Sequence, residues 1–85
     1  MKRIHVNNYR SSMGILIDLE DSKCFMENHI RGAKNIPYEK IIMNYRELLD
    51  KNKVYYLYCK KGRKSRKAAS ILELYGYNVT QLYNE

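Results

Sequence analysis

The sequence predicts a small α/β domain with a central parallel sheet of about five short strands and helices on both faces. Three observations carry this. Apolar runs of strand length alternate with segments of helical period. Two of the runs, Ile15-Leu16-Ile17-Asp18-Leu19 and Val54-Tyr55-Tyr56-Leu57-Tyr58, are apolar almost without a break, as strands buried on both faces are. The single proline and the four glycines fall between periodic segments, where turns belong. At 85 residues the chain has room for one domain, residues 1–85, and a small core.

The elements follow in order. Ile4-His5-Val6 reads as a short first strand, and the run after Gly14 as the second. Asp21 and Ser22 are caps for a short helix that carries Cys24, Phe25 and Met26. His29-Ile30-Arg31-Gly32-Ala33 reads as a turn, and Asn35-Ile36 as a brief extended piece before Pro37. Tyr38, Ile41, Ile42, Tyr45, Leu48 and Leu49 then recur at helical spacing, with Pro37 suited to the first turn. Val54–Tyr58 is aromatic and β-branched, the composition of a strand. Ala68, Ile71, Leu72 and Tyr75 mark another helix, and Gly76 sits where a left-handed C-terminal residue would end it. Val79-Thr80-Gln81-Leu82 reads as the last strand.

Composition excludes several classes. Hydrophobic residues at 45% and charged residues at 29% are those of a folded globular chain, not a disordered one. No apolar run approaches the roughly 18 residues of a membrane span, and Met1-Lys2-Arg3 leads into no signal-peptide core. The expected location is therefore the cytoplasm, where Cys24 and Cys59 stay reduced. The net charge is +7, and its placement is informative. Lys51 to Lys67 contains eight basic residues and no acidic one; the rest of the chain has eight basic against nine acidic. One stretch holds the whole excess, and Cys59 lies within it.

Cys59 ends a strand, and Lys60-Lys61-Gly62-Arg63-Lys64-Ser65 leads from it into a helix. In open parallel sheets, ligands bind beyond the carboxyl ends of strands. Three effects coincide at this one. A helix N-terminus presents unpaired N–H groups and partial positive charge. A glycine turn lets successive amides converge on an anion. Lys60, Lys61, Arg63 and Lys64 add full charges. Each favours thiolate over thiol, which makes Cys59 a candidate nucleophile and the loop a candidate anion cradle. The plainer alternative is a buried strand-end cysteine followed by a solvated loop; the order strand, Cys, Gly turn, basic loop, helix favours the reactive reading.

Four segments together resemble a single rhodanese domain, the sulfurtransferase module. Ile15-Leu16-Ile17-Asp18 is similar to the family's strand ending in aspartate. Glu27 to Pro37 is similar to its GHIPGAINIP segment. Val54 to Ser65 is similar to its active-site strand and CxxGxRS loop. Ala68-Ala69 through Gly76-Tyr77-Asn78-Val79 is similar to its following helix and LxxxGYxxV turn. The resemblance implies a persulfide carried on Cys59 and held by the loop amides from Lys60 to Ser65. It implies a small anionic sulfur donor such as thiosulfate and a thiol or protein acceptor. Asp18 would brace the loop from a neighbouring strand end, or serve only as a turn residue; Ser65 would cap the helix or bond to the loop. No cofactor and no metal are implied. The sequence departs from the family pattern in three places: Glu20 stands where arginine is common, Arg31 replaces a proline, and the C-terminal helix is shortened or absent.

Other readings are weaker. The phosphatases and arsenate reductases that share this fold use Cys-x5-Arg, but Ser65 is six residues beyond Cys59 and Arg66 comes one place late, which costs the bidentate anion fork. A docking or sulfur-carrier module without catalysis is the main alternative, and the presence of Cys59 argues against it. Transfer-RNA contact through the lysines and Tyr55, Tyr56 and Tyr58 is disfavoured, because those tyrosines lie in a strand expected to be buried. Cys24 is a candidate resolving thiol, though a packing role suits it better. His5 and His29 make no metal-ligand spacing with the cysteines. The oligomeric state is left open.

Overall fold

The computed structural model describes all residues, 1–85. Its five strands are β1 (Lys2–His5), β2 (Ile15–Asp18), β3 (Lys34–Asn35), β4 (Val54–Tyr58) and β5 (Asn78–Tyr83). All pair in parallel, in the order β1-β5-β4-β2-β3. The helices are α1 (Ser22–Glu27), α2 (Tyr38–Leu48) and α3 (Arg63–Leu74), and two short 3-10 turns lie between β1 and β2.

The strand order creates the site. From β2 the chain moves outward to β3, and from β4 it moves the opposite way to β5. The connections leaving two adjacent strands therefore diverge, which opens a crevice at their carboxyl ends. Asp18 and Tyr58 are register partners at that rim, and the Leu19 amide donates to the Tyr58 carbonyl at 2.8 Å just beyond it.

Side chains alternate along the central strands and feed two cores. One face packs Ile17, Tyr55, Leu57 and Val79 against Ile41 of α2 and Ala68, Ala69 and Leu72 of α3. The two alanines let α3 lie close to the sheet. The opposite face holds Leu16, Tyr56, Tyr58 and Leu82 under Ile4, Val6, Tyr9, Ile30 and Ala33. Its cover is the 3-10 segment and the turn before β3, so it is much thinner.

Local chemistry explains the boundaries. Asp21 caps α1 by accepting from the Cys24 amide at 2.8 Å. Pro37 precedes α2, whose backbone leaves helical angles at Asn44, where the side-chain amide donates to the Lys40 carbonyl. α3 starts after Gly62, whose φ of +83° is left-handed and suits glycine, and Gly76 beyond its end has φ +94°. β1 runs two residues earlier than its apolar run suggests, because Lys2 and Arg3 pair with Thr80 and Gln81 of β5. It stops at His5, whose Nδ1 accepts from the Asn7 amide and turns the chain.

The nine tyrosines find packing roles here. Tyr55, Tyr56, Tyr58 and Tyr77 are buried. Hydroxyls at the rim are satisfied: Tyr55 accepts from the Asp50 amide, Tyr58 from Asn84, and Tyr9 donates to the Gly14 carbonyl. Burial pushes the Tyr9 and Tyr58 hydroxyls above their ordinary pKa. No helix is long and apolar enough to cross a membrane.

Candidate active site

Cys59 follows β4 directly and is only 2% exposed. Its sulfur is held by the start of α3. The Ser65 amide donates to Sγ at 3.1 Å, and the thiol donates to Ser65 Oγ at 3.3 Å. Ser65 is fully buried, and its hydroxyl donates to the Gly62 carbonyl at 3.3 Å. Ser65 is thus a loop and sulfur partner rather than the cap of α3, a position that Gly62 occupies.

A buried amide closes this network from below. Gln81 on β5 is 1% exposed and points toward α3. Its Nε2 donates to the Gly62 carbonyl at 2.9 Å and to Ser65 Oγ at 3.0 Å. Its Oε1 accepts from Arg3 Nε at 2.9 Å. Gln81 therefore ties the loop, through Gly62 and Ser65, to β5 and, through Arg3, to the edge strand β1. The signal in the sequence is a polar residue inside the otherwise apolar end of a strand.

Glu20 closes the loop from the β2 side. Its Oε2 accepts from the Lys60 amide at 2.8 Å, and its Oε1 lies 3.4 Å from Lys64 Nζ. The cradle of amides that can face an anion thus begins at Lys61, because that of Lys60 is already engaged. The amides of Lys61, Gly62, Arg63 and Lys64 donate to no protein acceptor. They form the exposed N-terminus of a twelve-residue helix.

Asp18 acts one step further back. It is 1% exposed, and its Oδ1 accepts from the Glu20 amide at 2.8 Å, while its Oδ2 has no hydrogen-bond partner. Burial raises the Asp18 pKa above the ordinary carboxylate value, opposed by the Glu20 amide. Asp18 shapes the turn that aims Glu20, and Glu20 is the group that touches the loop. Asn35 assists by donating to the Asp18 and Glu20 carbonyls.

Above the sulfur is an open pocket of about 340 Å³. Cys59 lies at its base, Lys60, Lys61, Arg63 and Lys64 supply four positive charges, and Glu20 and Cys24 complete the wall. The four cationic side chains are exposed. A larger depression of about 480 Å³ shares Arg63 and Lys64 but has no nucleophile. Cys24, expected as a packing residue, is half-buried and part of the pocket wall. The Lys60 ammonium lies beside it, and hydrogen bonding to Cys24, ahead of their charge attraction, raises the Lys60 pKa. The described residues place no cluster of three metal-ligating side chains together.

A buried cysteine at a strand end, beside a basic loop with free amides, is the arrangement this α/β fold presents. The rhodanese-like domain family model matches residues 2–85, and the chain belongs to that family. It is 34% identical over 62 residues to the thiosulfate sulfurtransferase PspE of Escherichia coli, covering 72% of this chain and 60% of that one. It is 36% identical over 69 residues to the uncharacterized protein YqhL of Bacillus subtilis, covering 81% of this chain and 52% of that one. The chain thus spans about half to three-fifths of the length of these curated relatives. A rhodanese-related protein from Thermoplasma volcanium shares the fold, with a TM-score of 0.90 at 19% identity over 99% of this chain and 85% of that one.

Proposed function

We propose that the protein is a sulfurtransferase that takes sulfane sulfur from thiosulfate, or a similar anionic donor, as a persulfide on Cys59. The observation that carries this is the Cys59 sulfur itself. It accepts the Ser65 amide at 3.1 Å and opens to a pocket with four cationic side chains and four free loop amides. Lys60, Lys61, Arg63 and Lys64 attract the dianionic donor. The Cys59 thiolate attacks the outer sulfur, the S–S bond of thiosulfate breaks, and sulfite leaves with the bonding pair. The terminal sulfur of the persulfide then carries the negative charge, within reach of the amides of Lys61 to Ser65.

Ser65 suits both states of the sulfur. Its hydroxyl accepts from the neutral thiol and donates to the Gly62 carbonyl. When the sulfur ionises, the hydroxyl can turn to donate to it, because Gln81 continues to satisfy Gly62. An acceptor nucleophile removes the outer sulfur and restores the Cys59 thiolate. The acceptor is a thiol, free or borne by a protein, and a reducing compartment such as the cytoplasm suits that chemistry.

The test is thiocyanate formation from thiosulfate and cyanide, with Cys59→Ser in parallel. The expected result is turnover in the native protein and none in the variant. A folded native protein that neither turns over nor acquires sulfur on Cys59 would instead point to a docking module.

A further inference from the structure

The two cysteines of the chain lie far apart in sequence but line one pocket, with the Lys60 ammonium beside Cys24. Their accessibilities differ. Cys59 is 2% exposed at the base, whereas Cys24 is half-buried in the wall formed by α1. Asp21 fixes the first turn of that helix through the Cys24 amide, so the thiol keeps its place at the pocket. A persulfide on Cys59 adds one sulfur about 2 Å beyond Sγ, and the pocket over Sγ is bordered by both the loop and the Cys24 wall. An acceptor thiol borne by a folded protein would meet Cys24 in the wall more readily than the 2%-exposed Cys59.

We propose that Cys24 is a relay thiol, which takes the sulfane sulfur from Cys59 and presents it at the pocket wall to an acceptor thiol on another protein. This rests on the sulfurtransferase reading above. In the transfer, Cys24 Sγ forms a bond to the terminal sulfur while the bond from that sulfur to Cys59 Sγ breaks. The electron pair of the broken bond stays on Cys59, whose thiolate returns to the Ser65 amide. The Cys24 thiol proton ends on the terminal sulfur, so a thiol plus a persulfide anion become a persulfide plus a thiolate. One sulfane sulfur has moved between equivalent thiols, and no oxidant or reductant is consumed. The Lys60 ammonium pairs with the negative charge on the attacking Cys24 sulfur.

The experiment follows the sulfur. The protein is mixed with one equivalent of thiosulfate labelled in its outer sulfur, quenched at intervals with iodoacetamide, digested with trypsin and mapped by mass spectrometry. The expected result is label on Cys59 first and on Cys24 later. In Cys59→Ser, and in Cys59→Ala as a second variant, the Cys24 label falls by roughly tenfold or more. Label that stays on Cys59 and never reaches Cys24 overturns the relay and leaves the sulfurtransferase reading intact. Cys24 label that is unchanged without Cys59 also overturns it, since Cys24 would then react directly. Label on neither cysteine removes the sulfurtransferase reading and the relay together.

Discussion

Replacing Gln81 by leucine tests whether the loop after Cys59 is held from β5. The substitution keeps the volume close and removes three hydrogen bonds, to Gly62, to Ser65 and from Arg3. Neutral bonds contribute about 0.5–1.5 kcal/mol each and a charge-assisted one about 1.5–3. Two relaxations reduce the loss. The Gly62 carbonyl keeps the Ser65 hydroxyl, and Arg3 is exposed and keeps Glu85 and the face of Tyr83. The expected cost is therefore about 2 kcal/mol, which in a domain of this size lowers Tm by roughly 10 °C. Sulfur loading of Cys59 by thiosulfate should slow at temperatures where the variant is still folded, because Ser65 has lost a donor that fixes its hydroxyl. Thermal unfolding by circular dichroism and single-turnover loading by mass spectrometry read the two effects. Gln81→Glu sharpens the test, since a carboxylate can accept from Arg3 but cannot donate to Gly62. A Tm within about 3 °C of the native value in both variants, with unchanged loading, would refute the claim that Gln81 supports the loop.

Three further outcomes follow from the same geometry. Glu20→Gln retains an acceptor for the Lys60 amide and removes the one negative charge of the pocket wall, so KM for thiosulfate should fall about 2–5-fold at low salt and converge with the native value near 1 M salt; an unchanged KM at low salt would contradict the placement of that charge. Asp18 has a folded-state pKa raised by burial, so the folded protein holds this proton after the unfolded chain has lost it, and stability falls as pH rises from the ordinary value of 3.8 through the folded one. Asp18→Asn cannot ionise, so relative to the native protein its stability should improve with rising pH across that window; denaturant melts at pH 4 and 7 that differ equally for both proteins would show that Asp18 is not the group concerned. Gly62→Ala adds a Cβ whose nearest neighbour, Gln81 Nε2, is 3.7 Å away, so only the left-handed φ of +83° opposes it. The expected loss is about 1 kcal/mol by thermal melts, and a loss several times larger would mean the loop is sterically closed.

Most of the fold was legible because its determinants are local. The nearly unbroken apolar runs at Ile15–Leu19 and Val54–Tyr58 became β2 and β4, the second with the same limits. The stripe from Ala68 to Tyr75 lies on α3, and Gly76 follows its end with positive φ. What the periodicities missed depends on partners elsewhere. Lys2 and Arg3 belong to a strand only because β5 lies beside them. The break in α2 at Asn44 has no proline or glycine to announce it. The thinner cover of one sheet face was expected from the shortened C-terminal helix, but not which residues supply it, since Val6, Tyr9, Ile30 and Ala33 are scattered apolar residues without a common period.

The site divides in the same way, and the division has a physical cause. Cys59, its glycine turn and its four cations are contiguous, so the candidate pocket they line could be read from one stretch of chain. Glu20 and Gln81 act on that stretch from 40 and 16 residues away in the bonds to Lys60 and Ser65. In the sequence Glu20 was a departure, an acid where the family commonly has a base. In the structure a loop of four adjacent cations and several free amides needs a counter-charge, and Glu20 supplies it at the Lys60 amide while remaining in the pocket wall. The residue that looked like a loss of positive charge is therefore a clamp on the basic loop. On the proposed function its negative charge would weaken donor attraction by a modest, salt-screened amount, and its hydrogen bond holds the loop in shape. Glu20→Gln separates these two effects, because it removes the charge and leaves the hydrogen bond in place.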